Sequence, residues 1–358
     1  MTDWLSMLKP KTLSFLEKLH ETDGYYRYSL TSDVFTNYAR SNLAGSVFAL
    51  KLFAMFGETD PSKIQPTIDR ILSFQQSDGT FSDPFVARRR LVRHVLSNLK
   101  RGDLHNLGNA GYIRAETRQA YCALLLYDVI PKHILTDVPT TPADIHRFLS
   151  RLDWSHPWGA GSHFSHLMFF LTLMRKANRI DEATYRQARD TAVTFIASLQ
   201  HKDGAWYVGN PSHRQKINGA MKVISGLMVD PLPFDHPDRL IDLCLTKHTY
   251  NTDDACDQIN QVFVLRHSNQ LLDGRYRQED LQSFCLEALD QWRAYFYSEL
   301  GGFSFHQGRA NERYYSAKVS LGLNEPDIHG TVMFVWGLSM LKHLLPIQAL
   351  QPLKEIPA

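Results

Sequence analysis

Cysteine is scarce in this 358-residue sequence, and the scarcity excludes a disulfide framework. The four cysteines are widely spaced and form no CxxC pair: Cys122, Cys244, Cys256 and Cys285. This usage is typical of reduced thiols in a cytoplasm. The N-terminus also lacks the basic start and apolar centre of a secretory signal peptide. The sequence therefore predicts a cytoplasmic protein.

Long apolar runs and an excess of one charge are absent as well. The longest apolar run, Leu167 to Met174, is too short to span a bilayer, which predicts no transmembrane segment. The formal net charge of +2 gives no general attraction to nucleic acid or to an anionic membrane. Hydrophobic residues make up 44% of the chain, which is enough for a large core. The partner expected is therefore a small-molecule substrate.

Patterns typical of β-strands are scarce too, whereas helical periodicity recurs along the chain. One set of segments is amphipathic and predicts six helices near residues 12–20, 64–75, 142–152, 185–200, 235–247 and 280–298. A second set is apolar on most sides and predicts six inner helices near residues 41–56, 115–129, 161–176, 216–229, 254–267 and 327–345. The two sets alternate, which predicts six helical hairpins and an all-α fold.

Several of the amphipathic helices end in similar loops. Each loop has a glycine closely followed by an aromatic residue: Gly24-Tyr25-Tyr26, Gly79-Thr80-Phe81, Gly204-Ala205-Trp206 and Gly302-Phe303. The glycines are 55, 125 and 98 residues apart. This spacing indicates a repeat of about 50–60 residues with two degenerate copies between them. Residues 156–161 and 249–252 are the candidates for the degenerate loops.

Six hairpins bury their apolar faces by closing on themselves. We therefore predict an (α/α)6 barrel, or toroid, formed by a single domain over residues 1–358. An insertion of about residues 82–113 carries the basic stretch Arg88-Arg89-Arg90-Leu91-Val92-Arg93. Such a stretch is usually a solvated helix face, and the alternative is a site for a phosphate or a membrane surface.

The loops also carry a family resemblance. Gln75-x-x-Asp78-Gly79-x-Phe81 and Gln200-x-x-Asp203-Gly204-x-Trp206 resemble the QW repeats of squalene and oxidosqualene cyclases. Gly301-Gly302-Phe303 is similar to the GGF form found in protein prenyltransferase β subunits. The resemblance implies the α/α toroid. In such loops the glutamine end-caps a helix, the glycine makes the turn and the aromatic residue packs between hairpins.

A second resemblance concerns an acid. The stretch Asn251-Thr252-Asp253-Asp254-Ala255 is similar to the Asp-x-Asp-Asp-Thr-Ala motif of class II terpene cyclases, with Asn in place of the first Asp and Ala in place of Thr. It implies that Asp253 protonates an alkene or epoxide, with Asp254 beside it. Apolar residues follow at helical spacing, so Asp253 or Asp254 should lie near the N-cap of a helix.

A third resemblance concerns a metal. Protein prenyltransferases bind zinc through Asp-x-Cys at the start of one inner helix and a histidine at the start of the next. Asp254-Ala255-Cys256 and His329 are similar in type and order. The resemblance implies zinc as a possible cofactor, bound by Asp254, Cys256 and His329 with a fourth position open. It also implies that a second subunit, or a homodimer, could complete the enzyme.

Other polar residues lie near the starts of the inner helices. His163 and His166 are three residues apart on one helix face, as a metal site or proton relay requires, and the alternative is that they cap the helix. The charged, aromatic loop before His329 is expected to act as a lid. The residues expected to be catalytic are Asp253, Asp254, His329 and His163. Those expected to bind substrate are His166, Glu116, Asn218, Trp206, Tyr314, Lys318 and Trp336.

Four functions remain open at this point. The favoured one is a terpene cyclase-like isomerase or lyase that starts cyclisation or isomerisation of an isoprenoid-like substrate by protonation. The second is a zinc-dependent prenyltransferase-like enzyme. The third is an α/α-barrel enzyme that acts on a carbohydrate, with Asp253 or Glu325 as general acid. The fourth is a non-catalytic binding scaffold.

Overall fold

The computed structural model describes residues 3–31, 43–101, 110–246 and 254–358, and these are mostly helical. The α-helices of the described ranges are α1 (Asp3–Ser6), α2 (Leu8–Leu19), α3 (Leu43–Phe56), α4 (Pro61–Leu72), α5 (Pro84–Arg101), α6 (Ala110–Leu125), α7 (Pro142–Ser150), α8 (Pro157–Lys176), α9 (Glu182–Ala197), α10 (His213–Leu227), α11 (Pro237–Leu245), α12 (Ala255–Leu271), α13 (Gln278–Trp292) and α14 (Ile328–Leu341). Two short antiparallel pairs join β1 (Phe296–Tyr297) to β2 (Gly302–Phe303) and β3 (Arg313–Tyr314) to β4 (Ala317–Lys318). The all-α class is confirmed.

Each of the twelve helices predicted from periodicity has an observed counterpart, and α1 and α5 are additional. One predicted boundary is wrong. Residues 156–161 were expected to form a degenerate loop, but α8 begins at Pro157. Proline suits the first position of a helix because the N–H it lacks would have no helical partner there. The other expected degenerate loop, residues 249–252, lies outside the described residues.

Six helices form a closed series of contacts. The helix α3 packs against α6, and the series continues through α8, α10 and α12 to α14, which packs against α3. These helices are buried on most sides, and all of α3 except Ala54 is buried. Amphipathic helices cover them: α4 packs on α3, α9 on α8, α11 on α12 and α13 on α14. One continuous apolar core extends from Leu5 to Ile356.

The loops after α2, α4 and α9 share one backbone geometry. In each loop two residues six positions apart form an antiparallel bridge: His20 with Tyr26, Gln75 with Phe81, and Gln200 with Trp206. The glycine of each loop has a positive φ, between 70° and 85°. The repeat predicted from glycine spacing is therefore present in the backbone of these three loops.

The glutamines of these loops have a different role from the one expected. Gln75 Nε2 donates to the His133 carbonyl at 2.7 Å, and Gln200 Nε2 donates to the Asp235 carbonyl at 2.6 Å. Both carbonyls lie in the segments that precede the next amphipathic helices, α7 and α11. The glutamines therefore join successive hairpins rather than capping the helices that they follow.

Two further expectations concern the surface. Within the described ranges, no helix has both the length and the apolar character that a membrane crossing requires. The basic stretch lies in α5, where Arg88 is exposed; the side chains of the other three arginines lie outside the described part. All four cysteines are free.

Candidate functional site

A cavity of about 710 Å³, here called the first cavity, is lined by all six helices of the closed series. The loop before α14 and residues 356–358 complete its wall. The structure brings seven of the predicted site residues to this cavity: Asp254, Cys256, His163, His166, Tyr314, His329 and Trp336. Asp253 lies outside the described residues. Groups far apart in sequence therefore share one concave site, which is a common setting for ligand binding.

His329 is held in a fixed orientation at the start of α14. Tyr28 Oη lies 2.8 Å from His329 Nδ1, and Asn311 Nδ2 donates to Tyr28 Oη at 3.0 Å. Asn311 Nδ2 also lies 3.4 Å from His329 Nδ1, so both neighbours are placed to donate to that nitrogen. The imidazole ring stacks between Phe48 and Phe305, with centroid distances of 4.9 and 4.6 Å.

This arrangement leaves His329 neutral. Burial, with smaller contributions from nearby His306 and Lys51, lowers the pKa of His329 to about 3. With Nδ1 accepting from Tyr28, the ring hydrogen of the neutral imidazole is on Nε2. His329 therefore offers the cavity a hydrogen-bond donor rather than a base.

Asp254 is the N-cap of α12, as expected. Its Oδ1 accepts from the Cys256 backbone N–H at 2.7 Å. Burial raises the pKa of Asp254, and this hydrogen bond partly opposes the increase. Burial also raises the pKa of the Cys256 thiol, which keeps it protonated.

The residues proposed for zinc do not fit that metal. Asp254, Cys256 and His329 line one cavity, but no three His, Cys, Asp or Glu side chains of the described residues are grouped closely enough to hold a metal ion. The described part of the chain therefore gives the predicted zinc site no support.

Three basic side chains, here called the cation cluster, reach the first cavity from three different helices. They are Lys51 of α3, Arg118 of α6 and Lys222 of α10. Lys51 donates to the Gln119 amide oxygen, and Arg118 donates to the Ser165 hydroxyl and, at 2.9 Å, to the Ala358 backbone oxygen. In the described ranges, none of the three forms an ion pair with a carboxylate side chain.

The charges of the cation cluster repel one another. Burial, together with the positive charges of Arg118 and Lys51, lowers the pKa of Lys222 to about 8. Burial also lowers the pKa of Lys51, again with a contribution from Arg118. Like charges that lower each other's pKa in a buried site are a typical mark of a binding site.

His163 and His166 line the cavity beside this cluster. Burial lowers the pKa of both imidazoles, and Arg118 and Lys222 contribute to the shift of His166. The Nδ1 atoms of both rings are buried and have no hydrogen-bond partner among the described residues. Two neutral imidazoles with unused polar atoms therefore accompany the three cations, and a polar ligand would satisfy them.

Trp206 and Lys318 do not line the first cavity, although both were expected to bind substrate. Trp206 is only 1% exposed, and its ring packs edge to face on Phe234 at 5.8 Å. It therefore holds a loop against the core. Lys318 lies in β4, with Nζ 3.5 Å from Glu312 Oε1.

Asn218 and Glu116 are also displaced from the cavity, into the layer behind it. Asn218 donates to Asp257 Oδ1 at 2.8 Å and accepts from the Asn260 amide at 2.5 Å. Of these residues, Asn260 reaches the cavity. Glu116 accepts from the hydroxyl of Tyr112, and burial raises its pKa to about 8. Tyr112, not Glu116, lines the cavity there.

Lys51 and Lys222 were missed from the sequence, yet a signal was present. Each is the only charged residue in an apolar stretch of an inner helix, Ala49–Phe56 and Gly219–Leu227 respectively. A charge in such a stretch is costly unless it faces a polar space or a partner.

Comparison with known proteins identifies no relative of this chain. The chain matches no protein-family model, no curated protein and no solved structure. The resemblance to QW-repeat proteins therefore rests on its loops and short motifs, and the chemistry has to be argued from the cavity itself.

Proposed function

We propose that the six hairpins form the (α/α)6 toroid that the loops imply. The closed series of contacts from α3 to α14 and back supports this arrangement. So does the contact of the last repeat loop, at Gly301, with Lys11 of α2 near the start of the chain. In a toroid the first cavity would open at one end of the central space, because residues near the N-terminal ends of four inner helices line it: Tyr112, Trp158, Cys256 and His329.

We propose that the first cavity binds a small molecule with a negatively charged group. The observation that carries this proposal is the cation cluster of Lys51, Arg118 and Lys222. Among the described residues no carboxylate side chain pairs with these three groups, so burying their like charges costs free energy, and a bound anion offsets that cost. The Nε2–H of His329 is an additional donor for the same ligand.

The other walls of the cavity suit an apolar part of the same ligand. Phe48, Phe305, Tyr314 and Trp336 line it together with Val332. A ligand that is charged at one end and apolar elsewhere agrees with the isoprenoid-like substrate implied by the resemblance. We therefore propose an isoprenoid that carries a phosphate or carboxylate group.

The proposed reaction is isomerisation or cyclisation started by proton transfer from Asp254. Burial raises the pKa of this carboxyl group, which helps it to hold a proton. The cation cluster would repel positive charge that develops on the substrate, so the reacting carbon must lie away from the cluster. The main charges that act on the Asp254 pKa are Asp257, which raises it, and His306 and Arg214, which lower it.

Binding of inorganic pyrophosphate tests the anion site. We expect Lys222→Met and Arg118→Met each to weaken pyrophosphate binding by about tenfold to a hundredfold, as the loss of a charge-assisted hydrogen bond would. Isothermal titration calorimetry measures the affinities. The matched control is Lys202→Met, because Lys202 is exposed in the loop after α9. Equal affinities in all three variants and the parent chain would refute the anion site.

The pH dependence of sulfate binding tests the state of Lys222. Sulfate keeps its charge at neutral and alkaline pH, so changes in affinity report on the protein. Because the pKa of Lys222 is lowered to about 8, we expect sulfate affinity to fall as pH rises through 8. The Lys222→Met variant should bind more weakly at pH 7 and lose this part of the pH dependence. A parent affinity that stays constant from pH 7 to about 9 would contradict the assignment.

A further inference from the structure

A second cavity, of about 870 Å³, lies beyond the first along the same helices. On α8 the first cavity is lined by residues 158–166 and the second by residues 169–176. On α12 the corresponding residues are 256–260 and 263–270. The second cavity therefore lies toward the C-terminal ends of these helices.

The two cavities are separated by one segment of the chain, residues 355–358, here called the crossing segment. Ile356, Pro357 and Ala358 line both cavities. Trp336 Nε1 donates to the Ile356 carbonyl at 3.0 Å. Glu355 Oε2 lies 2.9 Å from His343 Nε2. The segment is therefore held by α14 and by the turn that follows it, and it lies between the two cavities.

The inner wall of the second cavity is apolar. Residues from α6, α8, α12 and the C-terminal end of α10 form it: Leu125, Phe169, Leu173, Met228 and Phe263. The surface they offer is suited to an alkyl or ring body, because removing apolar area from water is favourable at about 25 cal/mol per Å².

The rim of the second cavity is basic. Lys176, Arg266, Lys342 and Lys354 line it. Arg266 Nε lies 3.5 Å from Oε2 of Glu355, which also lines this cavity, and the charges of Arg266 and Lys342 both act on that carboxylate. Lys176 and Lys354 are exposed. An apolar cavity with a positively charged rim is complementary to a molecule that is apolar along most of its length and anionic at one end.

We propose that the second cavity is a binding site for an amphipathic anion of the alkyl carboxylate type. The apolar body packs between Phe169, Met228 and Phe263, and the carboxylate lies at the lysines of the rim. This site is independent of the proposed enzyme site, because the crossing segment lies between the ligand and Arg118.

The test uses hexanoate, octanoate and decanoate as probes, with calorimetry on the full chain. Each added methylene is worth about 0.8 kcal/mol when fully buried, so affinity should rise about threefold to fourfold per methylene. Decanol should bind more weakly than decanoate, because it lacks the charge that the rim attracts. Equal affinities of decanol and decanoate, or no dependence on chain length, would overturn the proposal.

One methionine on α10 and the methionine that caps its C-terminus provide a matched pair of variants. Met228 lines the second cavity and Met221, seven residues earlier, lines the first. We expect Met228→Trp to fill the second cavity and weaken decanoate binding at least tenfold, with pyrophosphate binding unchanged. Met221→Trp should leave decanoate binding unchanged. The reverse pattern would place decanoate in the first cavity and overturn the proposal.

A measurement on the unmutated chain guards against misfolded variants. With ¹³C-methyl methionine, the NMR signal of Met228 should shift on titration with decanoate while that of Met221 stays in place. A shift of Met221 alone, or of neither signal, would refute the second site. Loss of pyrophosphate binding in Lys222→Met would not change the decanoate titration. The anion site of the first cavity and the alkyl carboxylate site of the second cavity are therefore tested independently.

Discussion

Replacing Gly301 by alanine is expected to lower the free energy of unfolding by about 3 kcal/mol or more. Gly301 has a φ of 93°, which side-chain-bearing residues rarely adopt. A Cβ atom there would lie 2.0 Å from the Lys11 carbonyl oxygen in α2. The backbone of the loop or of α2 must therefore move. Urea denaturation monitored by circular dichroism gives the free energy of unfolding.

Gly308→Ala is the matched control for this prediction. Gly308 also has a positive φ, of 74°, but a Cβ atom there would meet nothing within 4 Å. It should cost only the strain of the backbone conformation, about 1 kcal/mol. The difference between the two variants isolates the contact of the last repeat loop with α2. Equal losses in the two variants would mean that this contact does not hold the ends of the helical series together.

The helices could be predicted from the sequence because their signals are local. An apolar stripe repeats every three to four residues, and a glycine followed by an aromatic residue marks the loop. The position of Asp254 as N-cap of α12 follows from the same kind of signal, a short polar residue before an apolar run. Pro157 was misread because proline is common both in loops and at the first position of a helix.

The site was only partly accessible to the same reasoning. Asp254, His163 and His329 could be found because a polar residue at the start of an apolar helix can be recognised from the order of the residues alone. Which side of an inner helix faces the cavity depends on how its neighbours rotate it, and no local pattern records that. This is why Asn218 and Glu116 were expected in the cavity while Lys51 and Lys222 were missed.

The crossing segment shows a further limit of sequence reasoning. Residues 355–358 carry no helical or strand pattern, and a short stretch of this kind is read as an unstructured tail. Its position between the two cavities depends on contacts with Trp336 of α14 and Arg118 of α6, which lie 20 and 240 residues earlier in the sequence than their partners. The cavities that the crossing segment separates exist only once the helices have packed together, so the sequence alone does not indicate where the segment lies.

Replacing Asp254 by asparagine is expected to abolish proton transfer to the substrate while leaving the fold intact. Asparagine is as good an N-cap as aspartate, so its side-chain oxygen can still accept from the Cys256 N–H. It cannot donate an acidic proton. General acid–base catalysis contributes about 10²–10⁴-fold to rate, and we expect a loss of that size.

Deuterium exchange measures this step without knowledge of the natural product. Farnesyl phosphate, an anionic isoprenoid, is incubated with the protein in D₂O, and mass spectrometry follows the incorporation of deuterium into carbon positions. The parent chain should catalyse exchange. In D₂O the acid carries deuterium, so it adds a deuteron to the alkene, and the loss of a proton from a neighbouring carbon then restores a double bond. The deuterium remains on carbon. The exchange should slow as pH rises above the raised pKa of Asp254, because the reaction needs the protonated acid.

Asp181→Asn is the control for the capping role. Asp181 is the N-cap of α9, where its Oδ1 accepts from the Thr184 N–H at 2.7 Å, and it is exposed. The same substitution there should leave exchange unchanged. If exchange persists in Asp254→Asn, then this carboxyl group serves α12 as a cap and the acid is a different group. Exchange lost in Asp254→Asn and kept in Asp181→Asn, with equal thermal stability of the two variants, would assign the proton to Asp254, because both variants keep a capping oxygen and differ only in which acid is removed.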